Sequence, residues 1–381
     1  MRTETKELGL QNLPSQFFIG PLLLTAVLHF ALLGIYVWAY SGDLSALVCA
    51  DSGKIGQWPY EDICIGFPGG GFDGQFYYVL SRNPWRQYDT PVIDFPPLRH
   101  ARILYPALAW ALSGGEPVRL LWVLPAINLA AIIGLAWLGS RLAVHFDRSI
   151  WWGVLFPVAL NTGMSALRNL TDPVATLTAC GLLTAWLVRW PVWQIAVWAI
   201  AAVLSREQNL LIVSIILLEA LCVLSLSRAI ILLVASLLGV GWMIALKTIY
   251  GAWPMAPDNI SLPFAGMWYR WTHLEGSSGA VSGVIHFTGM LLLTFQVGLS
   301  VTLVFFRANR LTVLIALAGS ALAIFGGTGI YLNGWSYSRV FLWMPLGICI
   351  WSLESGRRWP MFLLTAALLW PVTAVLQAWI R

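Results

Sequence analysis

Charge is what this chain has least of. Asp, Glu, Lys and Arg together make up 10% of its 381 residues, against 59% hydrophobic, and the mean hydropathy is +0.75. So few charges cannot cover a water-facing surface, which excludes a soluble globular protein. Cysteine is sparse too. Of the five, Cys180, Cys222 and Cys349 lie inside apolar runs and read as small hydrophobes. Cys49 and Cys64 share one polar loop. They read either as a disulfide, if that loop faces an oxidising compartment, or as two thiols. No repeat at periods of about 20 to 50 residues is visible, and no matched pair of interrupted hydrophobic segments, so neither a solenoid nor an inverted-repeat transporter is indicated. No cleavable signal is expected, because the run 17–40 is too long for a signal's apolar stretch and lacks a small-residue cleavage site. Nor is a soluble domain expected at either end: 1–381 reads as a single transmembrane domain.

What the chain has in quantity is apolar runs of roughly the 17 to 25 residues that a helix needs to cross a bilayer. After a polar tail over 1–16, spans are predicted at 17–40, 118–138, 150–166, 173–188, 192–204, 209–226, 229–249, 281–306, 311–332, 340–353 and 360–380. The expected fold is an all-α polytopic membrane protein with about eleven transmembrane helices. The run 101–113 is helical in pattern but too short to cross, and is expected to lie in the interface or re-enter, at the end of a large first external loop, 41–101. A second external loop is expected at 251–279. The 22 tryptophans cluster at the ends of apolar runs, where indole favours the headgroup region.

The formal net charge of +5 belongs to topology and implies no nucleic-acid partner. With the N-terminus in the cytoplasm, Arg141, Arg148, Arg189, Arg228, Arg307, Arg310, Arg357 and Arg358 all fall in short cytoplasmic loops. The opposite side then receives 12 of the 17 acids, with the turns 168–172, 205–208 and 333–339. That face carries mixed charge, as the rim of a polar site would.

Five segments on that side could carry chemistry. The first is Gly69-Gly70-Gly71-Phe72-Asp73-Gly74-Gln75-Phe76-Tyr77-Tyr78, a lone carboxylate among glycines and aromatics, from which a helix could run about three turns to Asn83-Pro84. Asp73 reads two ways: as a cap accepting backbone N–H groups, or as a general base whose pKa partial desolvation raises toward the working range. The second segment carries Arg99 and Arg102 one helical turn apart, with Tyr105 following; it suits a lipid phosphate, or ordinary headgroup snorkelling. The third, Arg168 to Pro173, offers Arg168 and Asp172, the latter placed to start a helix. In the fourth, Arg206 and Glu207 are adjacent, cannot face each other on a helix, and should have different partners. The fifth ends in Arg339. Within the spans, Glu219, His29 and His286 are expected to be hydrogen-bonded interior groups.

Together these stretches resemble a family. The Asp-Gly-Gln-Phe-Tyr-Tyr motif at 73–78, the Pro-Pro-Leu and Arg-Ile-Leu-Tyr-Pro run at 96–106 ending in Gly114-Gly115, and the span reaching Gly139-Ser140-Arg141 are similar to the C-type integral membrane glycosyltransferases, above all bacterial members with such a first-loop motif. The likeness covers roughly the first 210 residues. It implies transfer of a sugar from a polyprenyl-phosphate carrier to a glycan or lipid acceptor at the extracytoplasmic face of a bacterial inner membrane. It makes Asp73 the catalytic base, with Gln75, Arg99, Arg102, Tyr105, Arg168, Asp172, Arg206, Glu207 and Arg339 as candidate substrate or phosphate binders. Relatives often pair acids in this loop and some hold a divalent metal there, whereas Asp73 has no acidic neighbour and Glu61-Asp62 lies upstream. No cofactor or metal is therefore expected. The alternatives are a lipid or sugar transporter or flippase, which would concentrate ionisable residues near the midplane, and a membrane acyltransferase, which would need an intramembrane histidine.

Overall fold

A computed structural model describes residues 18–274, 280–306, 308–332 and 334–380. The polar tail 1–16 and residues Glu275, Arg307 and Asn333 lie outside the described residues. In chain order the helices are α1 (Ile19–Trp38), α2 (Gly74–Arg82), α3 (Pro96–Ala101), α4 (Leu104–Ser113), α5 (Pro117–His145), α6 (Trp152–Ala159), α7 (Thr162–Ala166), α8 (Asp172–Leu187), α9 (Val192–Ser205), α10 (Asn209–Cys222), α11 (Leu226–Tyr250), α12 (Ala265–Thr272), α13 (Ala280–Thr302), α14 (Arg310–Ile324), α15 (Thr328–Tyr331), α16 (Gly334–Val340), α17 (Trp343–Ser355), α18 (Trp359–Leu364) and α19 (Leu369–Ile380). Two short parallel strands, β1 (Ala50–Asp51) and β2 (Gly66–Phe67), pair within the first loop.

The protein is a helical membrane protein. Among the described residues, five helical stretches are long and apolar enough to cross a bilayer: Ile19–Trp38, Pro117–His145, Leu226–Tyr250, Gly283–Phe305 and Trp359–Ile380. Their large side chains point outward in quantity, as on α11, where Leu226, Ile230, Leu233, Leu237 and Ile244 are exposed. Water would not tolerate such a face, and hydrocarbon does.

The other expected spans form helices that are short or interrupted. The run 150–166 is broken: α6 stops after Pro157, and Asn161 turns left-handed at φ 52° before α7. The run 311–332 stops as a helix at Ile324, because the Gly326-Gly327 backbone turns aside to pair with the 259–261 segment. Helices α8, α9, α10 and α14 have 14 to 16 residues, about 21 to 24 Å at 1.5 Å per residue, against a hydrocarbon core of about 30 Å. Their packing makes up for their length: Leu182, Ile195, Ala199, Ile212, Ile216 and Ile315 meet in the largest buried cluster.

The short helix expected over 101–113 is divided. Ala101 ends α3, Arg102 leaves helical geometry (φ −95°, ψ 48°), and α4 runs from Leu104 to the left-handed Gly114. The first loop is not a loose excursion. Tyr60, Ile63, Tyr77, Tyr78, Tyr88 and Ile93 form a core with Tyr105 and Leu124, which seats it on α4 and α5. Cys49 and Cys64 are not bonded to each other: Cys49 is buried with its thiol donating to Ala46 O, and Cys64 is exposed.

Candidate functional site

Close backbone approach explains the glycines. A Cβ on Gly71, whose φ is +69°, would lie 2.5 Å from Cys49 O and 2.6 Å from Asp51 N. A Cβ on Gly74 would be driven into Arg168 O and would lie 2.9 Å from Val48 O. Gln75 then ties the loop down, donating to Gly70 O (2.8 Å) and accepting from Asp51 N (3.1 Å). The stretch is thus folded flat against the 168–172 turn, with Asp73 at the head of α2. Gly74→Ala is expected to cost about 1–3 kcal/mol through overpacking, and Gly34→Ala, which lies within α1 and meets nothing within 4 Å, less. Thermal unfolding of the two variants in detergent checks the order.

Asp73 caps nothing: no backbone N–H of α2 reaches its side chain. Its two oxygens are taken instead by two arginines, Arg99 Nη2 at 3.0 Å and Arg339 Nη2 at 2.9 Å. Asp172 is likewise no cap; Arg206 and Arg339 both donate to it, the latter at 2.7 Å. Arg339 therefore bridges two carboxylates that are 99 positions apart in sequence. Arg99 is also held by Asp94 through a two-point contact at 2.7 and 2.9 Å. Beside this chain, Arg102 forms a fork with Glu207 at 2.8 and 2.9 Å and donates to Tyr77 Oη at 3.0 Å. The adjacent Arg206 and Glu207 thus go to different partners, as their spacing requires.

The fifth arginine, Arg168, is buried with its guanidinium 3.5 Å from the Phe72 ring centre, a cation–π stack on the glycine-rich stretch itself. Of the candidates named from sequence, Asp73, Arg99, Arg102, Arg168, Asp172, Arg206, Glu207 and Arg339 come together at one end of the helices. Gln75 and Tyr105 stand behind them. The Tyr105 hydroxyl donates to Leu124 O at 3.1 Å, accepts from Asn128 at 3.1 Å and is fully buried. Its hydrogen bonds go to the interior.

Three members went unassigned in the sequence reading. Asp94 grips Arg99 from five residues upstream, Tyr77 supplies a hydroxyl to Arg102, and Phe72 supplies the face under Arg168. The i, i+5 spacing of Asp94 and Arg99 was the available signal. Helix α3 is fixed from outside by His100, whose ring nitrogen lies 3.1 Å from Tyr250 Oη and whose carbonyl accepts from Trp242 at 3.2 Å.

Compared with family models, curated proteins and solved structures, the chain matches none.

The electrostatics run against the expectation for Asp73. Burial pushes its pKa up, but Arg99 and Arg339 outweigh burial and hold it well below the usual carboxylate range. The same balance holds Glu207 down, with Arg102 as the cause. Arg168 is lowered by burial to about 10, so it remains a cation at neutral pH. In this state Asp73 is a firmly ionised but weakly basic acceptor. It keeps 27% of its side-chain exposure, against 4% for Asp172, so it is the carboxylate of the bridged pair that a solute can touch. Among the described residues no group of three His, Cys, Asp or Glu is gathered as metal ligands.

Proposed function

We propose that the chain is a C-type membrane glycosyltransferase, taking a sugar from a polyprenyl-phosphate carrier and placing it on a glycan or lipid hydroxyl. The observation that carries this reading is Asp73, a reachable carboxylate held between arginines from two distant segments on an apolar helical scaffold. In the transfer, the acceptor oxygen bonds to the anomeric carbon and its proton passes to Asp73. The bond from that carbon to the phosphate oxygen breaks, its electron pair leaving with the phosphate. Arginine suits the departing charge because its fork matches phosphate geometry.

The resting ion pairs have a place in this scheme. When a donor phosphate draws N–H groups of Arg99 or Arg339 away from Asp73, the support that lowers its pKa is withdrawn and its basicity rises. On this reading the shorter helices complete about eleven crossings, the N-terminus is cytoplasmic, and the ion-pair end faces outward from a bacterial inner membrane. The protein groups alone suffice, with no cofactor or metal in the scheme.

Two observations weigh against the alternatives. Glu219 lies in the last turn of α10 with Arg310 3.9 Å away, a helix-end pair where a transporter would need a midplane group. The His286 ring lies 3.3 Å from Tyr337 Oη, away from the Asp73 cluster. The direct test gives the reconstituted protein a panel of labelled polyprenyl-phosphate sugars with membrane-derived acceptors. Label is expected to leave at least one carrier; retention on every carrier would overturn the reading.

A further inference from the structure

Arg270 differs from the arginines of the Asp73 cluster. It is 5% exposed, on α12, and its hydrogen bond is one from Nη2 to Leu332 O at 2.9 Å. Its Nε and Nη1 are buried with no acceptor, and no carboxylate among the described residues pairs with it. Arg99, Arg102, Arg206 and Arg339 each hold at least one carboxylate. A buried guanidinium with unfilled donors is costly until an anion meets it.

An apolar groove ends close by. Val284, Ile285, Thr288 and Leu292 of α13 form one wall, and Leu369, Trp370, Thr373 and Leu376 of α19 form most of the other, around about 850 Å³ of space that includes the open side. At its inner end the Trp370 ring meets Tyr337 edge-on at 5.9 Å, and the Tyr337 hydroxyl lies 3.3 Å from the His286 ring. Helix α12 is docked onto the same turn of α13, with Trp271 against Phe287 at 5.8 Å. This brings Arg270 to His286 and Tyr337; burial pushes the Tyr337 phenol up, and the Arg270 charge opposes it. Apart from Thr288 and Thr373, the side chains that line the groove are apolar.

We infer that this groove and Arg270 form a binding site for a lipid phosphate with a single apolar chain: the chain lies between α13 and α19, and the phosphate accepts from the two unfilled Arg270 donors, with His286 and Tyr337 beside it. The site is separate from the Asp73 cluster. Tyr337 and Arg339 are two residues apart on α16, about 200° around a helix, so that helix stands between them. The inference rests on the membrane setting and not on sugar transfer; it stands whether or not a sugar is ever moved.

The test uses the full chain in detergent and farnesyl phosphate, a short single-chain lipid phosphate, with farnesol, inorganic phosphate and dioleoyl phosphatidate for comparison. The wild type is expected to bind farnesyl phosphate at least about tenfold more tightly than each of the three. Arg270→Gln is expected to lower farnesyl phosphate affinity to the farnesol level and leave farnesol binding unchanged. Thr288→Trp, which fills the groove and keeps the arginine, covers the case in which the first variant does not fold, and is expected to weaken farnesyl phosphate and farnesol alike. Undiminished farnesyl phosphate binding by a folded Arg270→Gln or by Thr288→Trp overturns the site. Inorganic phosphate binding as tightly makes it a free-anion site, and phosphatidate binding as tightly makes it a two-chain lipid site; either result overturns the assignment.

Discussion

Replacing Asp73 by Asn is expected to lower sugar transfer by about 10²- to 10⁴-fold, the usual contribution of a positioned general base, while leaving the protein folded. The second half of that expectation comes from the ion-pair chain. Arg99 keeps Asp94 and Arg339 keeps Asp172 when Asp73 loses its charge, so neither arginine is left buried and alone. Initial rates with a labelled carrier, beside a thermal melt of the same preparation, separate the two effects. A stable variant that transfers at the wild-type rate would remove Asp73 from the chemistry. The pH dependence follows from the sign of the shift. The working form is the carboxylate, and its pKa is depressed below the usual value of about 4. The wild-type rate should therefore show no acid limb between about pH 8 and pH 5 from this group. A limb near pH 6 would mean that donor binding raises Asp73 much further than the loss of arginine contacts alone explains.

Arg339→Met is expected to destabilise the protein by about 1.5–3 kcal/mol, the range for losing hydrogen bonds to charged groups that keep a second partner. Arg339 is 11% exposed at its side chain and answers two carboxylates from different parts of the chain. Its loss leaves Asp172 with Arg206 and Asp73 with Arg99, and severs the link between α16 and the first loop. Arg339→Lys restores the charge as a point donor without the fork. Part of the stability should return and transfer should not. A melting temperature for Arg339→Met equal to that of the wild type would show that the bridge holds nothing together.

Much of the site's membership could be read from residue order, because charges in an apolar chain have few places to go. Arg168, Asp172, Arg206, Glu207 and Arg339 all sit at breaks between apolar runs, and the alternation of runs put those breaks on one side. The pairing within the site could not be read this way. Asp73 and Asp172 each sit where a helix-capping carboxylate would, yet both turn to arginines. Local capping lost to long-range charge, which carries no sequence signature. The same limit applies to the helix breaks. Nothing in the hydropathy of 150–166 marks Asn161 as left-handed, since its side chain reaches for Ser338 177 residues away. Gln75 and Tyr105 belong to the motifs that carry the family resemblance, and their hydrogen bonds hold the loop and the interior.

The charge ledger of the cluster bears on which donor the proposed transfer would take. Among the described residues, five guanidiniums, at Arg99, Arg102, Arg168, Arg206 and Arg339, lie with four carboxylates, at Asp73, Asp172, Glu207 and the more exposed Asp94, leaving one formal positive charge. A sugar linked to a lipid through a single phosphate is a monoanion, and it brings that sum to zero. After transfer the released lipid phosphate carries a second negative charge, and the proton on Asp73 removes one from the protein, so the sum is again zero. A diphosphate donor would arrive with one negative charge too many. On the proposed reading, electroneutrality at both ends of the reaction favours a monophosphate carrier over a diphosphate one.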